Sequence, residues 1–234
     1  MSGAGNIEVL QSGKTKDLLQ SKQAGLLIQQ FKDGAKPASP GRSKASIANE
    51  VSAFFFAYLK GYKIPTHFVE KVSESSMLVQ HVQMVPLTVT VWNVATKEFG
   101  KRFGVREWSD LSIPIIEHSY TAPGKSPQMV NEFHVYALHI ATPEQLRNIN
   151  RLTSKANIVL RSFFERRELR LAGVRFRFGV AGTQMMIADE ISPATCRVID
   201  MRKRQRNATP LTTLNGATTI TTYIDFRNRV FGTA

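Results

Sequence analysis

Between Thr142 and Phe178 the period of the apolar residues switches from helix to strand, and this switch does most to limit how the chain can fold. Leu146, Ile149, Leu152, Val159, Leu160 and Phe163 recur at helical spacing. Thr142 can cap the run, Pro143 suits a first helical position and Gln145 completes a capping box. The spacing predicts a helix over 142–171, stopped by Gly173. Val174-Arg175-Phe176-Arg177-Phe178 then alternates strictly, so two arginines share one face of a strand and three apolar side chains the other. Gly182 turns the chain, and 184–188 returns as a second strand that carries Asp189 and Glu190 to its far end. A hairpin centred on Gly182 would set Arg175 opposite Asp189 and Arg177 diagonal to it, and a cross-strand ion pair is the plainest interpretation.

The N-terminal part has a different rhythm. Ile7 to Leu10, Leu18-Leu19 and Leu26 to Phe31 are short apolar runs separated by turn residues, which predicts an antiparallel meander. Lys14 and Lys16 follow Ser12-Gly13 two apart, so on an extended segment both would face one side. Such lysines either guard a solvated edge strand or meet an anion. Residues 33–43 read as a loop, and 47–61 as a helix with Val51, Phe54, Phe55 and Tyr58 on one side. Strands are expected near 67–72, 77–82 and 85–94, and a short helix should end near Phe231.

Charge narrows the partners. The 234 residues carry 31 Lys and Arg against 18 Asp and Glu, a formal +13. That excess serves solubility or attracts an anion such as a nucleotide phosphate, a nucleic acid backbone or an acidic protein. The cluster 202–206 (Arg-Lys-Arg-Gln-Arg) reads as a solvated loop or a nucleic acid contact. The longest apolar run, 51–59, is roughly half of what a bilayer-spanning helix requires, and no signal-peptide pattern is present. A soluble, cytoplasmic protein is therefore expected. The one cysteine, Cys196, excludes an internal disulfide and a cysteine-rich metal site.

Familiar catalytic motifs are missing. The histidines (His67, His81, His118, His134, His139) form no HExxH, and no GxSxG, Walker A or GxGxxG string occurs. On residues alone the chain reads as an anion-binding α+β protein.

Particular strings go further. Gly13-Lys14-Thr15-Lys16, Phe31-Lys32-Asp33, Ile64-Pro65-Thr66-His67-Phe68, Met77-Leu78-Val79 and Val85-Pro86 are followed by Lys101-Arg102-Phe103-Gly104-Val105, Met129-Val130-Asn131-Glu132, Lys155-Ala156-Asn157, Phe178-Gly179 and Asp189-Glu190. In order and spacing, over roughly 7–200, they resemble the SAICAR synthetase family. The resemblance implies an α+β fold of two lobes around a cleft. A β-rich nucleotide lobe would span 1–86 and a larger mixed substrate lobe 87–234. It implies ATP-dependent ligation of L-aspartate to carboxyaminoimidazole ribonucleotide, with Mg²⁺ and lysines countering phosphate charge. Lys14 and Lys16 would approach the ATP phosphates, and Met84 and Pro86 would lie near the adenine. Asp189 would hold Mg²⁺ and, with Glu132, serve catalysis. Asn93, Lys101, Arg102, Arg177 and Arg197 would face the substrate. A homo-oligomer is compatible with this, and nucleic acid stays open as a partner.

The same comparison marks departures. Gln80 stands where the family has lysine, Trp92 where it has an arginine before Asn93, and Lys97-Glu98 where it has Gly-Ser. Pro127-Gln128 replaces Asp-Pro, Ala194-Thr195 replaces Asp-Gly, and the loop ending near Arg42 is shorter. At Arg177 the family carries a metal-binding glutamate. A guanidinium cannot ligate a metal, so Arg177 either stands in for a cation or signals a non-catalytic relative that binds nucleotide or nucleic acid.

Overall fold

The computed structural model describes residues 8–33, 43–201 and 219–232. The loop expected at 33–43, the 202–206 cluster and the start of the first apolar run fall mainly or wholly outside these residues.

Short apolar runs with turn residues between them fold as a meander. Strands β1 (Val9–Ser12), β2 (Lys16–Gln20) and β3 (Leu26–Phe31) pair antiparallel in sequence order. Strands β4 (Phe68–Lys71) and β5 (Ser76–Gln80) complete a five-stranded sheet of order β1-β2-β3-β5-β4. Leu27, Gln29 and Phe31 are the buried positions of β3, the alternation a one-sided sheet requires. Helix α1 (Lys44–Gly61) covers this sheet, packing on β3, β4 and β5. Ser43 caps it by accepting a hydrogen bond from Ser46 N. Asn49, buried on α1, donates from Nδ2 to the carbonyls of Ser73, Glu74 and Ser76, fixing the β4–β5 turn.

The second sheet has six strands: β6 (Gln83–Val94), β7 (Asp110–Tyr120), β8 (Gln128–Val130), β9 (Leu169–Ala181), β10 (Gln184–Ala188) and β11 (Cys196–Asp200). Their order is β10-β9-β6-β7-β8, with β11 pairing the first part of β9. Residue 86 lies inside β6, so this strand straddles the boundary expected from sequence. Short helix α2 (Lys97–Phe103) connects β6 to β7, and α3 (Glu132–Ala137) follows β8.

Helix α4 (Pro143–Glu165) lies across β9, β10 and β6. Its start is the one read from sequence: Thr142 Oγ1 accepts from Gln145 N, and Gln145 Oε1 accepts from Thr142 N. Its end differs. The helix stops at Glu165, and Glu168 takes φ 55° to turn the chain into β9, so Gly173 lies within a strand. Leu169 and Leu171, expected in the helix, are buried strand positions instead. Helix α5 (Ile220–Phe231) packs on α1 and ends as expected at Phe231.

One core runs through both sheets. Leu27 and Met77 from the first sheet, Val89 and Phe176 from the second, and Phe55 and Phe163 from the helices belong to a single buried cluster. Burying a side chain of this size contributes roughly 1.5–3 kcal/mol. Segment 64–68 joins the sheets directly. Ile187 N donates to Pro65 O at 2.9 Å and His67 N donates to Ile187 O at 3.0 Å, making a parallel bridge between Thr66 and β10.

Candidate functional site

The two sheets enclose a cavity of about 880 Å³. From the first sheet it is lined by Lys16, Leu27 and Gln29, together with Gly13 and Thr15 of the β1–β2 turn. From the second it receives Thr88 and Thr90 of β6, Arg175 and Arg177 of β9, and the Asp189-Glu190 pair after β10. His67, Gln80 and Met84 line it near the passage between sheets.

The β9–β10 hairpin brings the acids here. A two-residue loop pairs Ala181 with Gln184, and Gly182 in that loop has φ 58°, a left-handed conformation that favours glycine. The register runs to Ala188 opposite Arg177. Arg177 therefore neighbours Asp189, and the expected Arg175–Asp189 pairing is off by one residue. Asp189 also has a left-handed backbone, φ 72°, which Asp tolerates better than most residues. Its carbonyl accepts from Gln29 Nε2 at 2.9 Å, so the first sheet holds this conformation in place.

Lys16 is the partner of both acids. Its Nζ donates to Asp189 Oδ1 and to Glu190 Oε1, the latter at 2.5 Å, and lies 5.5 Å from the Phe31 ring centre. Glu190 Oε2 accepts from Ser192 Oγ. Burial alone would lower the Lys16 pKa, but Glu190 and Asp189 outweigh it and hold the ammonium above its ordinary value. Burial would raise Asp189, yet Lys16 and then Arg177 pull its carboxyl below the usual range. His67 beside them is fully buried, and desolvation drives its pKa down to about 3. The ring is neutral, packs edge-on to Phe56, and leaves Nε2 without a hydrogen-bond partner.

The carboxylates do not fit a divalent ion held by the protein. Both are engaged by the Lys16 ammonium, Arg177 sits beside them, and among the described residues no three His, Cys, Asp or Glu side chains gather as a metal cage. The expectation that Asp189 ligates Mg²⁺ meets a salt bridge instead.

Other expected site residues scatter. Lys14 is exposed in the turn beside Gly13 and Thr15, not on a strand with Lys16. Met84 lines the cavity, whereas Pro86 is exposed elsewhere on β6. Asn93 is buried and exchanges amide hydrogen bonds with Asn157, at 2.9 and 2.8 Å. Lys101 and Arg102 lie exposed on α2, where Arg102 pairs with Glu117 Oε1 at 2.6 Å. Glu117 also accepts from Trp92 Nε1 at 2.6 Å. Glu132 is exposed in the first turn of α3. Arg197 is buried beneath the Trp108 ring, its guanidinium 5.6 Å from the centre. None of Asn93, Lys101, Arg102, Glu132 and Arg197 lines the cavity. Gln29 and the hydroxyls of Thr88, Thr90 and Ser119 do line it without having been singled out. Only the burial alternation of β3 and the partial alternation of β6 hinted at Gln29 and the two threonines.

Comparison with known proteins fits this geometry. Residues 9–211 match the family model for SAICAR synthetase. The phosphoribosylaminoimidazole-succinocarboxamide synthase of Bacillus subtilis (strain 168) is 34% identical over 232 residues, 96% of each chain. That of Thermoanaerobacter sp. (strain X514) is 35% identical over 205 residues, 85% of this chain and 87% of its own. Among solved structures, the enzyme of that name from Ehrlichia chaffeensis superposes with a TM-score of 0.83 at 28% identity, covering 96% of this chain and 98% of its own. A SAICAR synthetase in complex with ADP superposes with a TM-score of 0.84 at 28% identity and the same coverage. The Gly13–Lys16 turn, His67, Val79 and the acids after β10 meet at one cavity in a shared fold, and the chain belongs to the SAICAR synthetase family.

Proposed function

We propose that this chain is an ATP-dependent carboxylate–amine ligase of SAICAR synthetase type, which joins L-aspartate to carboxyaminoimidazole ribonucleotide in purine biosynthesis. The observation that carries this reading is the cavity between the sheets, with Lys16, Asp189 and Glu190 in it, in a fold that a relative uses with ADP bound. A volume of about 880 Å³ is in the range that accepts a nucleotide-sized ligand. The first sheet and residues up to 86 serve as the nucleotide lobe and the remainder as the substrate lobe. Met84 borders the base, while Lys16 and the exposed Lys14 of the β1–β2 turn counter phosphate charge that builds as a phosphoryl group leaves ATP. Asp189 and Glu190 keep the Lys16 ammonium charged and aimed. No helix among the described residues is long and apolar enough to cross a membrane, which suits small-molecule substrates taken from solution.

A second reading is favoured by Arg177 alone: a relative that binds anions in the same cavity without catalysing ligation. ATP consumption with the carboxylated ribotide and aspartate separates the two. The ligase reading expects turnover in the wild type and a loss of about a hundredfold or more in Lys16→Met and Asp189→Ala. Turnover untouched by either substitution overturns the site; nucleotide binding without turnover favours the second reading.

A further inference from the structure

Among the described residues, two guanidinium groups in the cavity form no ion pair with a carboxylate. Arg175 and Arg177 project from the same face of β9 and both line the cavity. Arg177 Nε is buried without a hydrogen-bond partner, and among the described residues this side chain forms no ion pair. Among the described residues, the Arg175 guanidinium donates a hydrogen bond only to Ala194 O, at 3.4 Å. The strand register sets Thr88 beside Arg177, Ser119 beside Thr88, and Thr90 beside Arg175. One wall of the cavity therefore carries two fixed positive charges interleaved with three hydroxyls. Opposite in sign, Asp189 and Glu190 are both occupied by Lys16. With His67 neutral, three cations face two carboxylates, and the surplus charge lies on the arginine wall.

This pattern suits phosphate oxygens and opposes a metal ion. A buried guanidinium N–H left unpaired is unfavourable until an acceptor arrives, and a planar fork of donors matches phosphate bidentately. A divalent cation would have to displace Lys16 from both acids and then sit beside Arg177, whose charge is permanent. We infer that the cavity binds the polyphosphate of a nucleotide without a divalent metal, Arg177 and Arg175 supplying the positive charge. This inference rests on the nucleotide reading of the site above, and deepens it.

Calorimetric titration of the full chain with ADP, in EDTA and separately with excess Mg²⁺, tests it. The affinity in EDTA should lie within about threefold of that in Mg²⁺. Arg177→Gln should weaken binding in EDTA by about tenfold or more, the loss of one charge-assisted contact. Arg177→Lys should lie between. Pyrophosphate in EDTA should bind and compete with ADP, whereas ribose 5-phosphate, which carries a single phosphoryl group, should not displace it. ADP binding that requires Mg²⁺ overturns the inference and leaves the nucleotide reading intact. No ADP binding in either buffer overturns both. Arg177→Gln binding like wild type in EDTA, or displacement by ribose 5-phosphate as effective as by pyrophosphate, also overturns the assignment to a polyphosphate. If Arg177→Gln fails to fold, the wild-type comparison between EDTA and Mg²⁺ still decides.

Discussion

The Lys16 ammonium lies 2.5 Å from Glu190 Oε1, although 174 residues separate them in sequence. The contact ties β2 of the first sheet to the end of the β9–β10 hairpin in the second. Breaking one side strands buried charge on the other. Lys16→Met should destabilise the fold by about 3 kcal/mol, within the range for removing one member of a buried pair. The side chains are 15% and 11% exposed, so solvent screening weakens this little. Denaturant unfolding of Lys16→Met, Glu190→Gln and the double variant should give a coupling of at least about 1 kcal/mol; additive effects would show that the contact contributes nothing. Because Asp189 is depressed, its share is present above pH 3.8 and lost as pH falls through its folded pKa. Because Lys16 is raised, its share is present below pH 10.5 and lost as pH rises past that value.

His67 should dominate a different pH window. Unfolded, it takes a proton near pH 6.5; folded, not until about pH 3. Between those values the unfolded chain binds more protons, so stability falls as pH falls, by up to about 1.4 kcal/mol per pH unit. Asp189 begins to contribute only below 3.8. Stability measured between pH 6.5 and 3.8 should therefore slope steeply in the wild type and lose about that much slope in His67→Gln. An unchanged slope would place the titration elsewhere.

Gly179 is a packing constraint. A Cβ there would lie 2.4 Å from Val82 Cγ2 and 2.7 Å from Val82 Cβ. Gly179→Ala should cost about 1–3 kcal/mol through overpacking. Val82→Ala in the same chain should restore part of that loss, because it removes the methyl groups that the new Cβ meets. Thermal unfolding of the single and double variants distinguishes this from a general intolerance of β9 to substitution.

The buried Asn93–Asn157 pair should behave as a unit. Asn157→Ala leaves the Asn93 amide without its partner and should cost about 1–3 kcal/mol. Asn93→Ala should cost a similar amount, and the double variant less than the sum. If Asn93 instead contacts substrate, its alanine variant should raise KM with stability unchanged.

Elements with strong local signals could be read from the sequence. The Thr142-Pro143-Gln145 cap fixes the start of α4 because its hydrogen bonds lie within one turn. The meander was legible because turn residues bound each run. Strand β7 was not: Ile113, Pro114, Ile115 and Ile116 interrupt any alternation, and α2 and α3 are too short to show a period. The end of α4 was misplaced because Leu169 and Leu171 continue an apolar pattern while Glu168 makes the turn without glycine or proline.

The site divides in the same way. Lys16 and Asp189 were visible through their strings, but their mutual contact spans 173 residues and no local rule reports it. The hairpin register slipped by one because the loop has two residues, Gly182 and Thr183, rather than a single centre. The Asn93–Asn157 amide pair joins positions 64 residues apart, and no local pattern around Asn93 announces it.

The ion triad also restricts how this chain can change over generations. Lys16 lies 173 and 174 positions from Asp189 and Glu190 along the chain, yet each one's charge is tolerable only while the others remain. Losing the lysine alone strands two anions, and losing both acids strands a cation. Substitutions there should therefore spread in compensating sets, whereas Arg175 and Arg177 across the cavity are held by the anion they meet rather than by a partner in the chain.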